Sequence, residues 1–319
     1  MAIERPTRRR TIGLLAAAAG LPLVVRASPS TAEVVTWHGR ALGAPATLIL
    51  HHPDRAAAER LLARAAVEVD RLESVFSLYR TDSALSELNR TGALAVPPPE
   101  LVAVLDDCRR FHARTEGAFD PTIQPLWRLY AAHFAAGGDP AGPPAAALAE
   151  ARARVGLGAV HASRARIAFA RPGMALTLNG IAQGWITDRV VDLMRDAGVN
   201  SSLIDMGEIR ALGGDQGHPW QVSIAGTSRL LPLTDRAVAT STPDGFRFDR
   251  AARFGHIIDP RTGATARCYD RVTVTAPTAA AADALSTGLM LLDSPSSRSA
   301  ALGHDAEADV AVSPGADAQ

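Results

Sequence analysis

The 319-residue chain contains no lysine, and all 33 of its positively charged Lys or Arg positions are arginine. This absence excludes Schiff-base chemistry, covalent attachment of pyridoxal phosphate and a Walker A phosphate loop, because each of these requires a lysine amine. Any phosphate that the chain binds must therefore be held by arginine, by backbone N–H groups or by a metal ion.

Excess charge and cysteine are also lacking. The 33 basic residues are balanced by 33 acidic ones, so the chain has no electrostatic footprint for nucleic acid or for acidic lipid. The two cysteines, Cys108 and Cys268, could pair in an oxidising compartment, although two unpaired thiols are the favoured interpretation. No CxxC or HExxH spacing of a zinc site occurs.

The N-terminus has the pattern of an export signal. Arg8, Arg9 and Arg10 precede an apolar run over residues 14–25, which small residues follow. The run is short for a membrane span, and the paired arginines indicate twin-arginine export of residues 1–27 and a periplasmic location. An N-terminal anchor or a disordered tail is the alternative interpretation.

The remaining residues predict an α+β fold. Helices are expected over residues 54–76, from 97–99 to before Gly117, over 181–197 and around Asp283. Strands are expected over residues 46–51, 175–178, 202–206, 221–224, 246–248, 256–258, 272–275 and 309–312. Because strands and helices intermix without a βαβ rhythm, we expect mixed or mostly antiparallel sheets with flanking helices in a single domain, residues 28–312. Residues 313–319 are expected to be a disordered tail.

One pair of oxygen-bearing side chains indicates a metal site. Asp283 and Thr287 lie four residues apart in an alanine-rich helical run, which places them on one face, one turn apart. A carboxylate and a hydroxyl without neighbouring Cys or His suit a hard cation such as Mg²⁺. His256 lies upstream, on a predicted strand, and could face the same cation. Alternatively, Asp283 only stabilises the first turn of its helix.

Five further segments are candidates for ligand contacts. Tyr79 could stack on a planar ligand or be an ordinary core tyrosine. Asp120 could contact a ligand or only cap a turn. The strand-to-helix junction at 179–185 exposes N–H groups suited to phosphate. The turn at 205–209 could line a ligand, and 239–242 could contribute hydroxyls or be a strand end.

The order of these motifs along the chain is more specific than any one of them. FSxY, SELN, GAFDPT, LNGIAQGW, DMGEIRALGG, ATST, GHIIDPRTG and ADALST follow one another. This succession, from Trp37 to Leu292, resembles the ApbE family of FAD:protein FMN transferases. The resemblance implies that Mg²⁺ and FAD are used, with FAD bound in a cleft between two lobes of an α+β fold. It also implies that FMN is moved onto a threonine of a partner protein through a phosphoester bond, with release of AMP.

The resemblance also implies roles for individual residues. Gly180, through its carbonyl, Asp283 and Thr287 match the magnesium ligands. His256 matches the histidine beside the reacting phosphates, where it could take the proton of the acceptor threonine; Asp283 is the alternative base. The positions implied to bind FAD are Leu42, Tyr79, Ala118, Phe119, Asp120, Thr177, Gln183 and Ile257.

Three segments depart from the family pattern. Thr177 stands where the family often has an aspartate, and Gln183 where it has lysine or glutamate. Residues 42–44 read Leu-Gly-Ala in place of Met-Gly-Thr. Gln183 can donate a hydrogen bond but cannot neutralise charge.

The LNGIAQG and DMGEIRALGG segments resemble the NosX-type subgroup, which supports maturation of nitrous-oxide reductase. The implied acceptor is a membrane-bound, FMN-carrying electron-transfer protein of the NosR type. Two alternatives remain open from the sequence, a Mg²⁺-dependent FAD pyrophosphatase that forms FMN and AMP, and a non-enzymatic FAD-binding accessory protein.

Overall fold

A computed structural model describes residues 33–224 and 227–312. The strands are β1 (Glu33–Ala41), β2 (Ala44–His52), β3 (Ala93–Ala95), β4 (Val160–Ala162), β5 (Arg166–Phe169), β6 (Ser202–Asp205), β7 (Ile209–Leu212), β8 (Trp220–Ser223), β9 (Leu230–Leu233), β10 (Ala237–Ser241), β11 (Tyr269–Ala276) and β12 (Glu307–Val312). The helices are α1 (Arg55–Phe76), α2 (Ala84–Thr91), α3 (Pro99–Arg114), α4 (Gln124–Ala135), α5 (Ala145–Arg152), α6 (Ala182–Asp196), α7 (Ala279–Leu289) and α8 (Pro295–Leu302). The predicted export signal and C-terminal tail lie outside the described residues.

The largest sheet is antiparallel throughout. Its seven strands lie in the order β1-β2-β6-β7-β10-β11-β12. Smaller antiparallel sheets are formed by β3-β5-β4 and by β8-β9. The predicted α+β fold with mostly antiparallel sheets is therefore confirmed, while the cleft between two lobes stays a prediction.

The long helix α1 forms for reasons visible in its sequence. The Asp54 side chain accepts a hydrogen bond from the Ala57 N–H at 3.0 Å and so caps the N-terminus. The apolar positions at helical spacing, including Leu61, Val69 and Leu72, are buried. This helix packs against β1, β2 and α6 and belongs to the main core.

Helix α7 is buried on nearly every side. All its residues except Thr287 are buried, and it packs against α6, β10 and β11. Its small alanines allow a very close approach of α6, since a methyl group built on Gly184 would lie 2.3 Å from the Ala279 carbonyl oxygen. Asp283 is thereby held inside the core, while the half-buried Thr287 marks the open side of the helix.

Three predicted strands are wrong. Residues 175–178 have no strand partner because the Leu176 N–H donates to Asn89 Oδ1 at 2.7 Å and the Thr177 N–H donates to the Pro121 carbonyl at 2.8 Å. Residues 246–248 and 256–258 form only isolated bridges. Residues 175–178 and 257–258 are largely buried and residues 246–248 are half-buried, but their backbone groups are satisfied by loops, which apolar patterning does not distinguish from a sheet.

The two cysteines are unpaired, with Cys108 buried and Cys268 exposed. None of the helices in residues 33–224 and 227–312 combines the length and apolar character that crossing a membrane requires.

Candidate functional site

The loop before α6 runs alongside α7. A methyl group built on Gly180 would lie 3.0 Å from Thr287 Oγ1. Four residues after Gly180, in the first turn of α6, the Gly184 N–H donates to Asp283 Oδ2 at 3.3 Å. Asp283 lies one turn before Thr287 in α7. The structure therefore brings together the three residues predicted to hold the metal, Gly180, Asp283 and Thr287.

Asp283 is a buried acid that pairs with no arginine or histidine among the described residues. Only 4% of the residue is exposed, and this burial raises the pKa of its carboxyl to about 8. The hydrogen bond from Gly184 opposes the shift, and the charge of Asp188 adds to it. Without a cation the group holds its proton at neutral pH, whereas a bound cation would favour the carboxylate.

Hydroxyl groups extend this cluster towards the sheet. Ser241, the last residue of β10, lies with its Oγ 2.8 Å from Ser286 Oγ and 3.4 Å from Thr287 Oγ1. The Ser286 hydroxyl also donates to the Asp283 carbonyl at 3.0 Å. Both interpretations of residues 239–242 therefore hold, because the segment is a strand end and contributes a hydroxyl.

A second acidic segment lies next to the first turn of α6. In the turn between β6 and β7, the Gly207 N–H donates to Asp205 Oδ1 at 3.0 Å, and Gly207 adopts a positive φ of 98°. Gln183 Nε2 donates to the Met206 carbonyl at 3.2 Å. Burial raises the pKa of Asp205 to about 6 and that of Glu208 well above its usual range, where the charges of Asp283 and Asp205 add to the shift.

Asp188 positions the N-terminus of α7. Its two carboxylate oxygens accept hydrogen bonds from the Ala279 N–H at 2.8 Å and the Ala280 N–H at 3.0 Å. The buried Arg210 guanidinium donates to the same carboxylate. This arrangement fixes where α7 begins and therefore where Asp283 points.

His256 is linked to the hydroxyl cluster through the chain that follows β10. Its Nδ1 lies 3.2 Å from the Phe246 nitrogen and 3.3 Å from the Phe246 oxygen. Burial lowers the pKa of the ring, with a smaller contribution from the Arg247 charge, and the backbone of Phe246 and Pro243 opposes the shift. The imidazole is therefore neutral at physiological pH. No hydrogen bond joins His256 to the described atoms of Asp283 or Thr287.

Tyr79 lies at the open side of the same loop. The residue is 44% exposed, and its hydroxyl accepts a hydrogen bond from Asn179 Nδ2 at 3.2 Å. The alternative of a core tyrosine is therefore wrong, and the exposed side chain is accessible to a ligand.

Three predicted FAD-contacting residues are buried beside α7. Ala118 and Phe119 lie in the main core, and a methyl group on Gly288 would lie 3.3 Å from Phe119 Cβ. Asp120 accepts from the Thr122 N–H at 2.8 Å, the Thr122 hydroxyl at 2.6 Å and the Leu157 N–H at 3.2 Å. Its side chain therefore caps the following turn, as the simpler interpretation predicted.

Leu42 and Ile257 are apolar residues that pack on or in the main core. Leu42 occupies the turn between β1 and β2 with a positive φ of 48°, and its N–H donates to the Glu73 carboxylate of α1. Ile257 is buried in the main core next to His256. For these two residues the structure gives a packing role and no polar side-chain group for a ligand.

The donor set around Asp283 suits a hard cation. No group of three or more His, Cys, Asp or Glu side chains placed to hold a metal occurs in residues 33–224 and 227–312. The predicted ligands are instead one carboxylate, one hydroxyl and one backbone carbonyl, all of them oxygen, as Mg²⁺ prefers. The buried Glu208 Oε2 has no hydrogen-bond partner, so a cation bound nearby would favour the ionised form of this carboxyl.

Comparison with known proteins decides the family. Residues 42–311 match the ApbE family. This chain belongs to the ApbE family. FAD:protein FMN transferases from Treponema pallidum and Haemophilus influenzae are 34% and 31% identical to it over 252 and 236 residues, which cover 69% and 68% of this chain and 68% of each relative. The family and the enzyme class predicted from the motifs, a transferase, are confirmed.

Solved ApbE structures share the fold. The apo form of the flavinyl transferase ApbE from Pseudomonas stutzeri aligns with a TM-score of 0.73 at 25% identity, covering 88% of this chain and 95% of that one. The flavin transferase ApbE from Vibrio cholerae aligns with a TM-score of 0.72 at 25% identity, covering 88% and 97%.

Two departures of this ApbE chain from the family pattern are both engaged in internal hydrogen bonds. Thr177 Oγ1 accepts from the Asn179 N–H at 3.2 Å, and Gln183 donates to the Met206 carbonyl. Both side chains therefore contribute hydrogen bonds to the loops that lie next to Asp283 and Thr287.

Sequence reasoning missed two residues of this ApbE site. Asp188 occurs in the LNGIAQGW-x-x-D motif and Glu208 in the DMGE turn, but neither received a role. The signal was present, since both are acids inside the family-specific motifs. Their roles depend on which backbone groups and charges fold against them, which a single sequence does not show.

Proposed function

We propose that this chain transfers the FMN portion of FAD to a threonine of a partner protein in a Mg²⁺-dependent reaction that releases AMP. The observation that carries the proposal is the buried Asp283 carboxyl, with a pKa raised to about 8, beside Gly180 and Thr287. The named activity of the similar curated proteins supports the same reaction.

The cation would be held by the Gly180 carbonyl, the Asp283 carboxylate and the Thr287 hydroxyl. When bound, Mg²⁺ neutralises the diphosphate of FAD and stabilises the departing AMP. The Gly184 N–H keeps the Asp283 carboxylate oriented, and the Ser241 hydroxyl does the same for Thr287.

The covalent step exchanges the phosphoanhydride bond of FAD for a phosphoester bond to the acceptor. The acceptor threonine Oγ forms a bond to the phosphorus of the FMN half, the bond from that phosphorus to the bridging oxygen breaks, and AMP leaves with the bridging oxygen. The threonine proton passes to the His256 ring, which is neutral because burial lowers its pKa. Asp283 is the poorer base, because a carboxylate that coordinates a cation has little affinity for a proton.

Binding of the dinucleotide is proposed along the loop before α6. The exposed Tyr79 ring beside Asn179 suits the flat face of a flavin or adenine. At the start of α6 the Ala182 N–H already donates to the Leu178 carbonyl at 2.7 Å and the Gly184 N–H to Asp283 at 3.3 Å, so this junction offers few free N–H groups for phosphate. With no lysine in the chain, neutralisation of the phosphates falls to the cation and to arginine.

We further propose that the protein works in the periplasm as a NosX-type transferase with a NosR-like acceptor. The twin-arginine pattern of residues 8–10 and the LNGIAQG and DMGEIRALGG motifs support this proposal. Replacing Arg8, Arg9 and Arg10 by lysine should retain the protein in the cytoplasm, as measured by cell fractionation. Export of that variant at the normal level would contradict the twin-arginine route.

The direct test mixes purified protein, FAD, MgCl₂ and a NosR-like acceptor domain, and follows the intact mass of the acceptor. One added FMN, together with one AMP per labelled acceptor on chromatography, is the expected result. EDTA and the Asp283→Asn variant are the negative controls. Release of free FMN and AMP without labelling would instead establish a pyrophosphatase, and bound FAD without AMP release would establish a binding protein.

A further inference from the structure

Glu208 is a buried acid without a partner. The residue is 7% exposed, and its Oε2 has no hydrogen-bond partner. None of the ion pairs within residues 33–224 and 227–312 includes it. A buried, unpaired carboxylate costs stability, and such groups persist in proteins mainly where their charge serves a function.

The first turn of α6 contacts both the turn that contains Glu208 and the Asp283 carboxyl. Gln183 donates to the Met206 carbonyl in the Glu208 turn at 3.2 Å, and a methyl group on Gly207 would lie 2.6 Å from Gln183 Nε2. The next residue, Gly184, donates its N–H to Asp283 at 3.3 Å. Two adjacent residues of one helix therefore touch the two acidic elements.

The arginine closest in sequence to this turn forms an ion pair with a different acid. Arg210, two residues after Glu208, is buried and pairs with Asp188, which in turn caps α7. Asp205, three residues before Glu208, has its Oδ1 satisfied by the Gly207 N–H. Glu208 is thus the acid of this turn whose Oε2 is left without a hydrogen-bond donor.

We propose that Glu208 is a positioning residue that acts through Asp283, attracting and retaining the divalent cation by its charge without coordinating it. This inference rests on the proposed function, since it concerns the same cation. An ionised carboxylate in a poorly solvated interior attracts a cation far more strongly than it would in water. When the cation is absent, burial and the neighbouring acids raise the pKa of Glu208, so that folding must either protonate this carboxyl or bury its charge, and both cost stability.

The test measures binding of Mn²⁺, which shares the preference of Mg²⁺ for oxygen ligands, by electron paramagnetic resonance with and without FAD. Glu208→Gln should weaken Mn²⁺ binding about tenfold, and Asp283→Asn about a hundredfold. Asp205→Asn is the matched control, because it removes a neighbouring buried charge yet keeps the oxygen that Gly207 uses. It should bind Mn²⁺ as the unmodified protein does.

The outcomes separate the inference from the proposed function. Unchanged Mn²⁺ binding by Glu208→Gln, with loss of binding by Asp283→Asn, would overturn the role of Glu208 and leave the cation site intact. Equal weakening by Glu208→Gln and Asp205→Asn would also overturn it, because any buried charge would then suffice. Absence of Mn²⁺ binding by the unmodified protein would instead overturn the metal dependence of the proposed function.

Thermal unfolding supplies a readout that a merely structural role would move in the opposite direction. In EDTA, Glu208→Gln should melt at a higher temperature than the unmodified protein, because folding no longer has to protonate or bury an acidic side chain. Added MgCl₂ should then stabilise the unmodified protein more than the variant. A lower melting temperature of the variant in EDTA would show that Glu208 supports the fold, and would contradict the inference.

Discussion

Asp120 and Asp283 are two aspartates with nearly equal burial and very different surroundings. Asp120 is 7% exposed, and its oxygens accept hydrogen bonds from the Thr122 N–H, the Thr122 hydroxyl and the Leu157 N–H. Asp283 is 4% exposed, and its carboxylate accepts from the Gly184 N–H at 3.3 Å. One carboxylate is satisfied by the fold, and the other retains capacity for a further partner.

The difference shows that burial of an acid does not by itself identify a functional site. A carboxylate that accepts several N–H and O–H bonds is part of the architecture, because the fold has replaced its water. A carboxylate that lacks such donors, and whose pKa is raised to about 8, needs a cation to be stable as an anion. Unmet hydrogen-bonding capacity is therefore more informative than burial. Four experiments test this difference between the two aspartates.

The largest effect is expected at Asp283. Asp283→Ala should reduce FMN transfer by at least about a thousandfold, because several kcal/mol of charge stabilisation at the diphosphate would be lost. In-gel flavin fluorescence of the acceptor measures this, with circular dichroism as the control for folding. Near-normal labelling by a folded variant would remove Asp283 from the cation site.

His256 is expected to follow, with a loss of about a hundredfold or more in the rate of transfer for His256→Ala. The lowered pKa predicts that the unmodified protein loses activity only below the ordinary histidine pKa of 6.5, as the ring gains a proton. The variant should lack this acidic limb. A pH–rate profile with the same limb in both proteins would assign the titration to another group.

Stability measurements should give opposite signs at the two aspartates. Asp120→Ala should lower the free energy of unfolding by about 3 kcal/mol, because buried N–H and O–H donors lose their acceptor. Asp283→Asn in EDTA should be neutral or stabilising, since it removes a carboxyl that folding forces to take up a proton and keeps an oxygen for the Gly184 N–H. Urea denaturation measures both. A stable Asp120→Ala variant that no longer binds FAD would show that Asp120 contacts the ligand.

The smallest effect is expected at Asp205, whose pKa is about 6 in the folded protein and 3.8 ordinarily. Because the folded state holds this proton more tightly, ionisation of Asp205 costs stability as the pH rises from 3.8 to 6. In EDTA, Asp205→Asn should therefore be more stable than the unmodified protein by at most about 3 kcal/mol at pH 7. The advantage should vanish below pH 3.8. A difference that does not depend on pH would contradict the assignment.

Much of the helical structure follows from the sequence, and less of the sheet does. The apolar spacing of α1 and its Asp54 cap predict that helix nearly to the residue, and the alanine-rich run predicts α7. Strand β1 was missed because most of its side chains are exposed or half-buried, which weakens the apolar signal. Strand β7 was missed because its first residue, Ile209, falls in the segment 205–209 that reads as a ligand-lining turn.

The candidate site divides in the same way. The helical spacing of Asp283 and Thr287 predicts their shared face, because a helix fixes that relation locally. The closeness of Gly180 to Thr287, by contrast, was implied only by the family resemblance and depends on how α6 packs against α7. The raised pKa of Glu208 and the cap formed by Asp188 arise from contacts between distant segments, so no local pattern identifies them.

The central claim is that a divalent cation binds between Asp283 and Thr287. Anomalous diffraction from a crystal of the protein soaked in MnCl₂ tests it most directly. The expected result is an anomalous peak about 2.2 Å from both the Asp283 carboxylate and Thr287 Oγ1. A peak elsewhere, from a protein that still transfers FMN only when Mg²⁺ is present, would contradict it.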